Sequence, residues 1–485
     1  MNSYDLEIPI MKVEGNPWTI RNAIEGLQVF GGIGAGKSSS SGKTIARKYL
    51  EMGFGGLVLT VKPDEVDEWI TYCKTTGRLD DLMIVRPDGD YSFNFIDYEI
   101  NRPGLGNRHV ENLVLVLKTV IKAGEKNKSS NDAFWDESLD MLLMNVIELC
   151  TMFQAELTID DILSISQSLP KNEKDFADEK FKSNSFGEAF FAVRNRLKAM
   201  GSQVSVSDLR KFQSIDFYFW ETLANLNEKT RSIIEHMLWG LLHRLSRDPV
   251  YSLFCSSTPN LQPEDCLDGK IIVLDLPVKL YDKVGRDAQI LFKYVWQRAM
   301  ERRNVKEDGG KPVFLWADEA QNFLHEYDIT YQATARSSRV CTVYLTQNLP
   351  NYYAQLGGRQ GEYQVKSFMG TLATKIFHSN ADYDTNKYAS DLFGQIYKAF
   401  PVKSKSMGKE MSVSESISWQ KDHDVPPEMF TGLMTGGPNN NFLVEAYIHR
   451  QGTPWQSKNG LQNYIKTHFT QTPSRREEHP YSISN

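Results

Sequence analysis

Eight residues near the start of the chain have the types and the spacing of a phosphate-binding loop. Gly31-Gly32-Ile33-Gly34-Ala35-Gly36-Lys37-Ser38 matches G-x-x-x-x-G-K-[ST] at every fixed position. Glycines let the main chain wrap closely around an anion, and the N–H groups at the start of the following helix face it. Lys37 is expected to reach the β- and γ-phosphates of a nucleoside triphosphate, and the Ser38 hydroxyl is expected to ligate Mg²⁺. Together with Ser39, these residues predict a binding site for ATP and Mg²⁺.

The flanking sequence gives this loop the required structural context. Residues 27–30 form a short apolar run that predicts a buried strand, and residues 44–50 predict the body of a helix. A second Gly-Lys-Thr begins at Gly42, but Lys37 occupies the place of its first glycine. We therefore interpret the second triplet as the start of the helix.

A triphosphatase also needs a carboxylate near the metal and a group that orients the attacking water. Asp318 and Glu319 directly follow the apolar run 313–317. Asp318 is expected to hold Mg²⁺ through water, and Glu319 is expected to polarise the nucleophile. Asp275 follows another apolar run, but Leu276 and Pro277 come after it and leave no second carboxylate. We therefore favour the Asp318-Glu319 pair.

Three further side chains are candidates for catalysis. Gln347 follows the predicted strand 340–345, where an amide can contact the γ-phosphate. Arg336 and Arg339 lie just before that strand, and either is a candidate arginine finger for the nucleotide of a neighbouring subunit. A surface salt bridge is an equal alternative for each arginine.

Composition indicates a folded globular protein. The chain has 485 residues, of which 41% are hydrophobic and 24% charged, and its net charge is −6. The charge does not exclude DNA, because a ring-shaped motor can confine Lys and Arg to its channel. The five cysteines have no C-x-x-C spacing, and no apolar stretch is long enough to span a membrane. We expect a cytoplasmic location, with attachment to the inner membrane through a partner as an alternative.

The order of predicted elements indicates an α/β protein whose nucleotide-binding domain is split. Strands predicted at 56–61 and 82–85 alternate with helices, as in a mainly parallel sheet. Strand patterns return at 271–275, 313–317, 340–345 and 374–377, with a helix at 288–303. We predict the first part of the domain over 1–104 and the second over 266–470, followed by a flexible tail over 471–485. The polar segment 402–424 is either a hairpin or a mobile loop.

An all-α insertion is predicted between these two parts, over 105–265. Apolar residues recur there at helical spacing from Leu139 to Cys150 and from Ile233 to Leu245. Thr158-Ile159-Asp160-Asp161 resembles a helix-capping box. The insertion's Trp135, Trp220 and Trp239 are interpreted as core residues rather than as a platform for stacking bases.

With these motifs in place, the chain resembles the type IV secretion coupling proteins of the TraG/TraD kind, within the FtsK/HerA group. The resemblance covers roughly 25–450 and rests on the phosphate loop, the strand ending at Lys62-Pro63-Asp64 and the insertion beginning at Phe134-Trp135. Further similarity lies in Trp316-Ala317-Asp318-Glu319-Ala320-Gln321, Thr346-Gln347-Asn348, Thr374-Lys375-Ile376-Phe377 and Asp391-Leu392-Phe393-Gly394. One departure is that the two amino-terminal membrane helices usual in coupling proteins have no counterpart in this sequence.

The resemblance implies a RecA-like ATPase that assembles as a hexameric ring and drives DNA through a central channel. It also implies that the all-α domain contacts a relaxase or secretion-channel protein. A soluble HerA-like motor that partners a nuclease in DNA processing or phage defence is an alternative, and an ATP-switched recruitment factor is another. Candidate DNA-contacting residues are Lys403, Lys405, Lys409, Arg359 and Lys366, although such charges usually face solvent.

Overall fold

The computed structural model of the protein describes residues 4–102, 109–122, 132–256, 258–407, 411–458 and 460–471. Within them lie fifteen strands: β1 Pro9–Val13, β2 Asn16–Thr19, β3 Leu27–Phe30, β4 Gly55–Leu59, β5 Leu82–Val85, β6 Ile271–Leu274, β7 Val313–Ala317, β8 Val340–Thr346, β9 Thr374–Phe377, β10 Gln395–Met407, β11 Met411–His423, β12 Leu443–Arg450, β13 Trp455–Ser457, β14 Gly460–Gln462 and β15 Tyr464–Thr470.

The same residues form seventeen α-helices: α1 Ile20–Ile24, α2 Lys43–Glu51, α3 Glu65–Thr75, α4 Phe95–Asn101, α5 Val110–Lys122, α6 Asp132–Phe153, α7 Ile159–Gln167, α8 Glu179–Lys182, α9 Ser185–Met200, α10 Val206–Phe217, α11 Glu228–Leu245, α12 Val250–Phe254, α13 Val278–Arg302, α14 Glu326–Ala335, α15 Leu349–Leu356, α16 Gly358–Thr371 and α17 Tyr383–Phe393. Within the described ranges, each helix is too short or too polar to cross a lipid bilayer.

The chain forms two compact units, and the first contains the large sheet. This unit comprises Met1–Leu82, Cys266–Val273 and Met300–Asn485. Eight strands of the sheet lie in it, in the order β15-β12-β9-β3-β8-β7-β4-β6. Strand β3 is parallel to β8 and β9, and β7 is parallel to β8 and β4. The predicted α/β class with a mainly parallel sheet is confirmed.

Burial explains why the central strands can be predicted from the sequence. Every residue of β3, β4, β7, β8 and β9 is buried, as expected for parallel strands covered on both faces. Strands β3, β4, β7 and β8 therefore appear in the sequence as short, mainly apolar runs. The bounds of β3, β7 and β9 are those predicted. Strands β12 and β15, which pair antiparallel at the other end of the sheet, were not predicted.

The second unit is mainly helical and is larger than the predicted insertion. It comprises Met83–Asp265 and Leu274–Ala299, whereas the sequence predicted an insertion over 105–265. Most of α13, assigned to the second part of the nucleotide-binding domain by the sequence, thus belongs to the helical unit. The reason is aromatic packing: the Phe292 ring of α13 lies 5.2 Å from Phe93 and 5.9 Å from Phe254.

Helix α6 organises the core of the helical unit by packing against α5, α7, α9 and α11. Its residues Leu139, Leu142, Leu143, Val146, Ile147 and Cys150 are all buried, as their spacing predicts. The capping box at Thr158 is present at the start of α7. The three tryptophans are half-buried: Trp220 lies 4.3 Å from Phe176, and Trp239 donates a hydrogen bond to the Ser166 carbonyl.

The polar segment predicted as a hairpin or a loop forms a two-stranded ribbon. Strands β10 and β11 pair antiparallel from Gln395↔His423 to Met407↔Met411. Tyr397, Ile417 and Trp419 are highly exposed on one face of this ribbon. Lys409 lies outside the described residues, as does the predicted tail 471–485 apart from Gln471.

Close strand packing makes Gly56 a sensitive position. A Cβ atom at Gly56 would lie 2.4 Å from the Phe314 carbonyl oxygen in the neighbouring strand β7. We expect Gly56→Ala to lower the free energy of unfolding of the sheet unit by about 3 kcal/mol, because the backbone of a central strand must shift. Urea unfolding followed by tryptophan fluorescence measures the loss.

Gly370→Ala is the matched control. Gly370 lies in α16, where an added Cβ meets no atom within 4 Å. This change should be neutral or stabilising, since alanine is favoured over glycine in helices. Equal destabilisation by both substitutions would contradict the packing explanation.

Candidate functional site: a phosphate-binding loop facing an acidic pair

The candidate site lies in the sheet unit, where four parallel strands end side by side. The phosphate loop follows β3, Asp318 and Glu319 follow β7, and Gln347 follows β8. Because parallel neighbours end at the same edge of a sheet, residues far apart in sequence meet there. Lys62 and Glu65 follow β4, which pairs with β7 on its other side.

The loop conformation requires glycine at two positions. Gly34 has φ 72° and Gly36 has φ 79°, in the left-handed region that only glycine adopts at no cost. A Cβ at Gly36 would also lie 2.8 Å from the Val444 side chain. Gly32 N–H donates to the Ser379 carbonyl at 2.9 Å, which anchors the start of the loop.

The remaining loop residues take up different positions. Ile33 is 91% exposed at the tip, whereas Ala35 is buried. The chain then passes through a π-helical turn, Ser38–Gly42, into α2. Gly42 and Lys43 therefore open the helix, as the sequence indicates. Ser39 accepts a hydrogen bond from the Gln471 amide at 3.1 Å.

The predicted lysine and serine each contact one member of the acidic pair. Lys37 Nζ lies 3.2 Å from Glu319 Oε1, and Ser38 Oγ donates to Asp318 Oδ2 at 2.5 Å. Lys37, Asp318 and Glu319 are 8%, 6% and 7% exposed, so the charges face each other largely out of water. Five residues predicted from distant segments, including Gln347, thus meet in one site.

Glu319 is held in place by its neighbours and by a strained backbone. Its carboxylate accepts hydrogen bonds from Gln321 Nε2 at 2.9 Å and from Gln347 Nε2 at 3.3 Å. Burial alone would raise the pKa of Glu319, but Lys37 and these two amides outweigh it and hold the pKa below its usual value. Its φ of 45° is unfavourable for a side-chain-bearing residue, and such strain is concentrated at functional sites.

The geometry fits a magnesium ion that takes few ligands from protein. The Ser38 hydroxyl and the Asp318 carboxylate supply adjacent oxygens, which are the ligands that Mg²⁺ prefers. Within the described part of the chain, no three His, Cys, Asp or Glu side chains surround a common metal position. Mg²⁺ in such sites keeps several of its waters and binds through one or two carboxylates and the phosphates of its nucleotide.

The two arginine candidates lie at the other edge of the sheet. Both precede β8, so they lie beyond its amino end, whereas the phosphate loop follows the carboxyl end of the parallel β3. Arg336 is exposed and lies 3.4 Å from Glu25, and Arg339 donates to the Gly310 carbonyl at 2.6 Å. Neither contacts the site within the same chain, so an arginine finger remains a prediction about a neighbouring copy.

The remaining sequence candidates lie on other elements of the chain. Asp275 belongs to the helical unit, where it lies 3.8 Å from Arg86. Of the candidate DNA-contacting residues, Lys366 is paired with Glu362 at 2.6 Å, Lys403 and Lys405 lie on β10, and Arg359 lies in α16.

The sequence interpretation missed three residues next to the site. Gln321 accepts from Thr346 Oγ1 at 2.8 Å and thereby links the ends of β7 and β8. His378 directly follows β9, and its Nε2 lies 2.7 Å from Ser41 Oγ. Burial lowers the pKa of His378 to about 4, so the ring is neutral beside the loop. The signal used for Gln347, a polar residue at a strand end, would have found His378.

Glu65 is the third missed residue and is also buried. Val61 N–H donates to its Oε2 at 2.7 Å. Burial, together with the nearby Asp318 carboxylate, raises the pKa of Glu65 to about 8. The sequence interpretation assigned Lys62-Pro63-Asp64 only to the end of a strand, and it did not include the next residue, Glu65, in the site.

The fold and this site together have the arrangement of a P-loop nucleotide-binding domain with a RecA-like core. Residues 312–431 match the family model described as the TraM recognition site of TraD and TraG. The matched segment holds the acidic pair, Gln347 and the β10–β11 ribbon, and it confirms the predicted resemblance to TraG/TraD coupling proteins there. No curated protein sequence shows a significant match to the chain.

Solved structures of a conjugative coupling protein have the same fold. The bacterial conjugative coupling protein TrwBdeltaN70, in its unbound monoclinic form, matches with TM-score 0.61 at 13% identity over 96% of this chain and 90% of that chain. Plasmid coupling protein TrwB with the non-hydrolysable GTP analogue GDPNP gives 0.59 at 13% identity, over 96% and 91%. TrwB with ADP and Mg²⁺ gives 0.55 at 14% identity, over 96% and 89%.

The position of Glu319 predicts how its substitution separates binding from hydrolysis. Glu319→Gln keeps the side-chain shape but removes the charge that faces Lys37. We expect ATP hydrolysis at saturating nucleotide to fall about 100-fold or more, because a general base is lost. Equilibrium binding of a fluorescent ATP analogue should be retained or tightened, since Lys37 is no longer held by a carboxylate.

Lys37→Ala is the contrasting variant, because it should abolish binding itself. Phosphate release and fluorescence anisotropy, measured on both variants, separate the two effects. A Glu319→Gln protein that hydrolyses ATP at the wild-type rate would contradict the assigned role.

Proposed function

We propose that this protein is an ATP-hydrolysing DNA translocase that acts as a coupling-type motor in conjugative DNA transfer. The observation that carries the proposal is the buried meeting of Lys37 and Ser38 with Glu319 and Asp318. It is supported by the TraD/TraG family match over 312–431 and by the fold shared with TrwB.

The Lys37–Glu319 ion pair suggests how binding prepares hydrolysis. An incoming γ-phosphate competes with Glu319 for Lys37, because both are anions that need the same cation. Once Lys37 turns to the phosphate, the Glu319 carboxylate is free to accept a proton from water. The water oxygen then bonds to the γ-phosphorus, and the bond to the β–γ bridging oxygen breaks. Bound Mg²⁺, held by Ser38 and Asp318, would neutralise phosphate charge.

Gln347 is proposed to report the state of the nucleotide. Its side-chain amide contacts Glu319, and its backbone carbonyl accepts a hydrogen bond from Asn380 Nδ2 at 2.7 Å. A shift of Glu319 on hydrolysis would therefore reach the ends of both β8 and β9. This connection gives a route from the phosphates to surfaces of the sheet unit.

Partner binding is proposed at more than one surface. The resemblance assigns contact with a relaxase or secretion-channel protein to the helical unit. The family model, by contrast, is described as a TraM recognition site and falls on 312–431 in the sheet unit. We therefore propose that a protein of the DNA-processing complex contacts this segment.

DNA should stimulate hydrolysis if the motor function is correct. We expect single- or double-stranded DNA to raise the ATPase rate several-fold, because translocation couples turnover to strand contact, with a steep dependence on salt. Steady-state hydrolysis with and without DNA measures this, and Lys37→Ala should remain inactive under both conditions. Equal rates, together with no gel shift of DNA, would favour the ATP-switched recruitment factor instead.

Assembly into a ring is a separate expectation. Glu319→Gln loaded with ATP should sediment as a species of about six chains, because trapped nucleotide holds neighbouring subunits together. Arg336→Ala and Arg339→Ala, made in turn, should identify the finger as the one whose loss abolishes hydrolysis but not nucleotide binding. A monomer under trapping conditions would count against catalysis between subunits.

A further inference from the structure

Glu65 has a carboxylate oxygen that the fold leaves unpaired beside the metal position. The side chain is 8% exposed at the first residue of α3. Oε2 is fixed by the Val61 N–H, whereas Oε1 is buried and has no hydrogen-bond partner among the described residues. An unpaired buried carboxylate oxygen is costly, so native proteins nearly always provide it with a donor or an ordered water.

A small polar cavity adjoins this side chain. Its volume is about 20 Å³, and its polar wall includes Ser38, Lys43, Glu65, Glu68 and Asp318, with Trp69 and Trp316 as apolar lining. A cavity needs roughly 10–15 Å³ to hold one water molecule, and the water needs two or more polar partners. The cavity meets both conditions, so it is suited to a single bridging water.

The neighbours of this cavity determine which kind of water fits. Ser38 and Asp318 are the two residues expected to hold magnesium, and the Asp318 and Glu65 carboxylates both border the cavity. A water bound to a divalent cation points both hydrogens away from the metal and is a strong donor. An acceptor without a partner is therefore the group such a water requires, and the positive charge of the ion favours acceptor oxygens on the neighbouring carboxyl groups of Glu65, Glu68 and Asp318.

We propose that Glu65 is a positioning residue for magnesium, whose Oε1 accepts a hydrogen bond from a water in the coordination shell of the ion held by Ser38 and Asp318. Glu65 does not bind the metal directly. This inference rests on the proposed nucleotide site. It adds Glu65, the first residue of α3, to the acidic pair Asp318 and Glu319 that follows β7. A purely structural role, in which Glu65 only caps the turn at Val61, is the competing explanation.

The test measures metal affinity rather than turnover. Electron paramagnetic resonance of Mn²⁺, titrated into the protein in the presence of ADP, reports the bound ion directly. We expect Glu65→Gln to weaken Mn²⁺ binding about 10-fold or more, because loss of an outer-shell partner typically costs 10–100-fold. Affinity for ADP without metal should be unchanged, and the amide oxygen can still accept from Val61.

Asp67→Asn is the matched control, because it removes one carboxylate charge from the same helix at an exposed position. Its Mn²⁺ affinity should stay within about 3-fold of wild type, since exposed charges are screened by salt. Glu65→Asp keeps the carboxyl group but withdraws it by one methylene, so it should also weaken Mn²⁺ binding. Thermal unfolding without nucleotide verifies that each variant is folded.

The outcomes separate this inference from the proposed function. If wild-type protein fails to bind Mn²⁺ with ADP, the proposed site and the inference both fall. Unchanged affinity in Glu65→Gln, or equal weakening in Asp67→Asn, overturns the inference alone and leaves a structural role for Glu65. Selective weakening in Glu65→Gln and Glu65→Asp supports it.

Discussion

The parallel pairing of β3 with β8, and of β8 with β7, is the constraint on which the site depends. The hydrogen-bonded register sets Phe30 opposite Thr346 and Ala317 opposite Tyr344, so the residues that follow each strand emerge at one edge. Neighbouring strands lie roughly 4.8 Å apart. The phosphate loop and the acidic pair therefore meet because of backbone pairing, although Ser38 and Asp318 are separated by 280 residues.

The ionised side chains at this edge of the sheet stabilise one another in their charged forms. Burial penalises each ionised group alone, and burial by itself lowers the pKa of Lys62 while raising that of Glu65. The charges of Asp318, Glu65, Glu319 and Asp64 outweigh burial at Lys62 and raise its pKa. Removing one partner from such a group leaves another charge buried and unpaired. The same property makes the site responsive, since an incoming phosphate redistributes the pairs.

The sequence revealed the parts of the fold and site that leave local signatures. Strands β3, β7 and β9 are buried on both faces, and the phosphate loop combines a fixed spacing with a strand before it and a helix after it. Strands β12 and β15 were missed because they are antiparallel and partly exposed, so their pattern resembles that of many surface segments. Most of helix α13 packs within the helical unit rather than with the second part of the nucleotide-binding domain, and amphipathicity does not identify the surface that a helix covers.

The neighbours of the site were harder to predict because their roles arise from tertiary contacts. Gln321 matters through one hydrogen bond to Thr346, and His378 matters through one contact with Ser41. Glu65 is distinguished from the exposed acidic residues early in helices by its burial and its unpaired oxygen. Neither property has a sequence pattern. The ribbon β10–β11 shows a related limit of local sequence, since a polar segment without helical period fits both a hairpin and a loop.

The order of strands in the sheet has a consequence for synthesis of the chain. Leu27 in β3 pairs with Val343 and Thr374, so the phosphate-loop strand has no partner on either side until more than 300 further residues have been added. At roughly 5–20 residues per second, that interval is on the order of 15–60 seconds. Throughout it, an apolar strand with two open edges is exposed to other chains, while helices with local contacts can already form. The strand order therefore delays pairing of the phosphate-loop strand until most of the chain has been made.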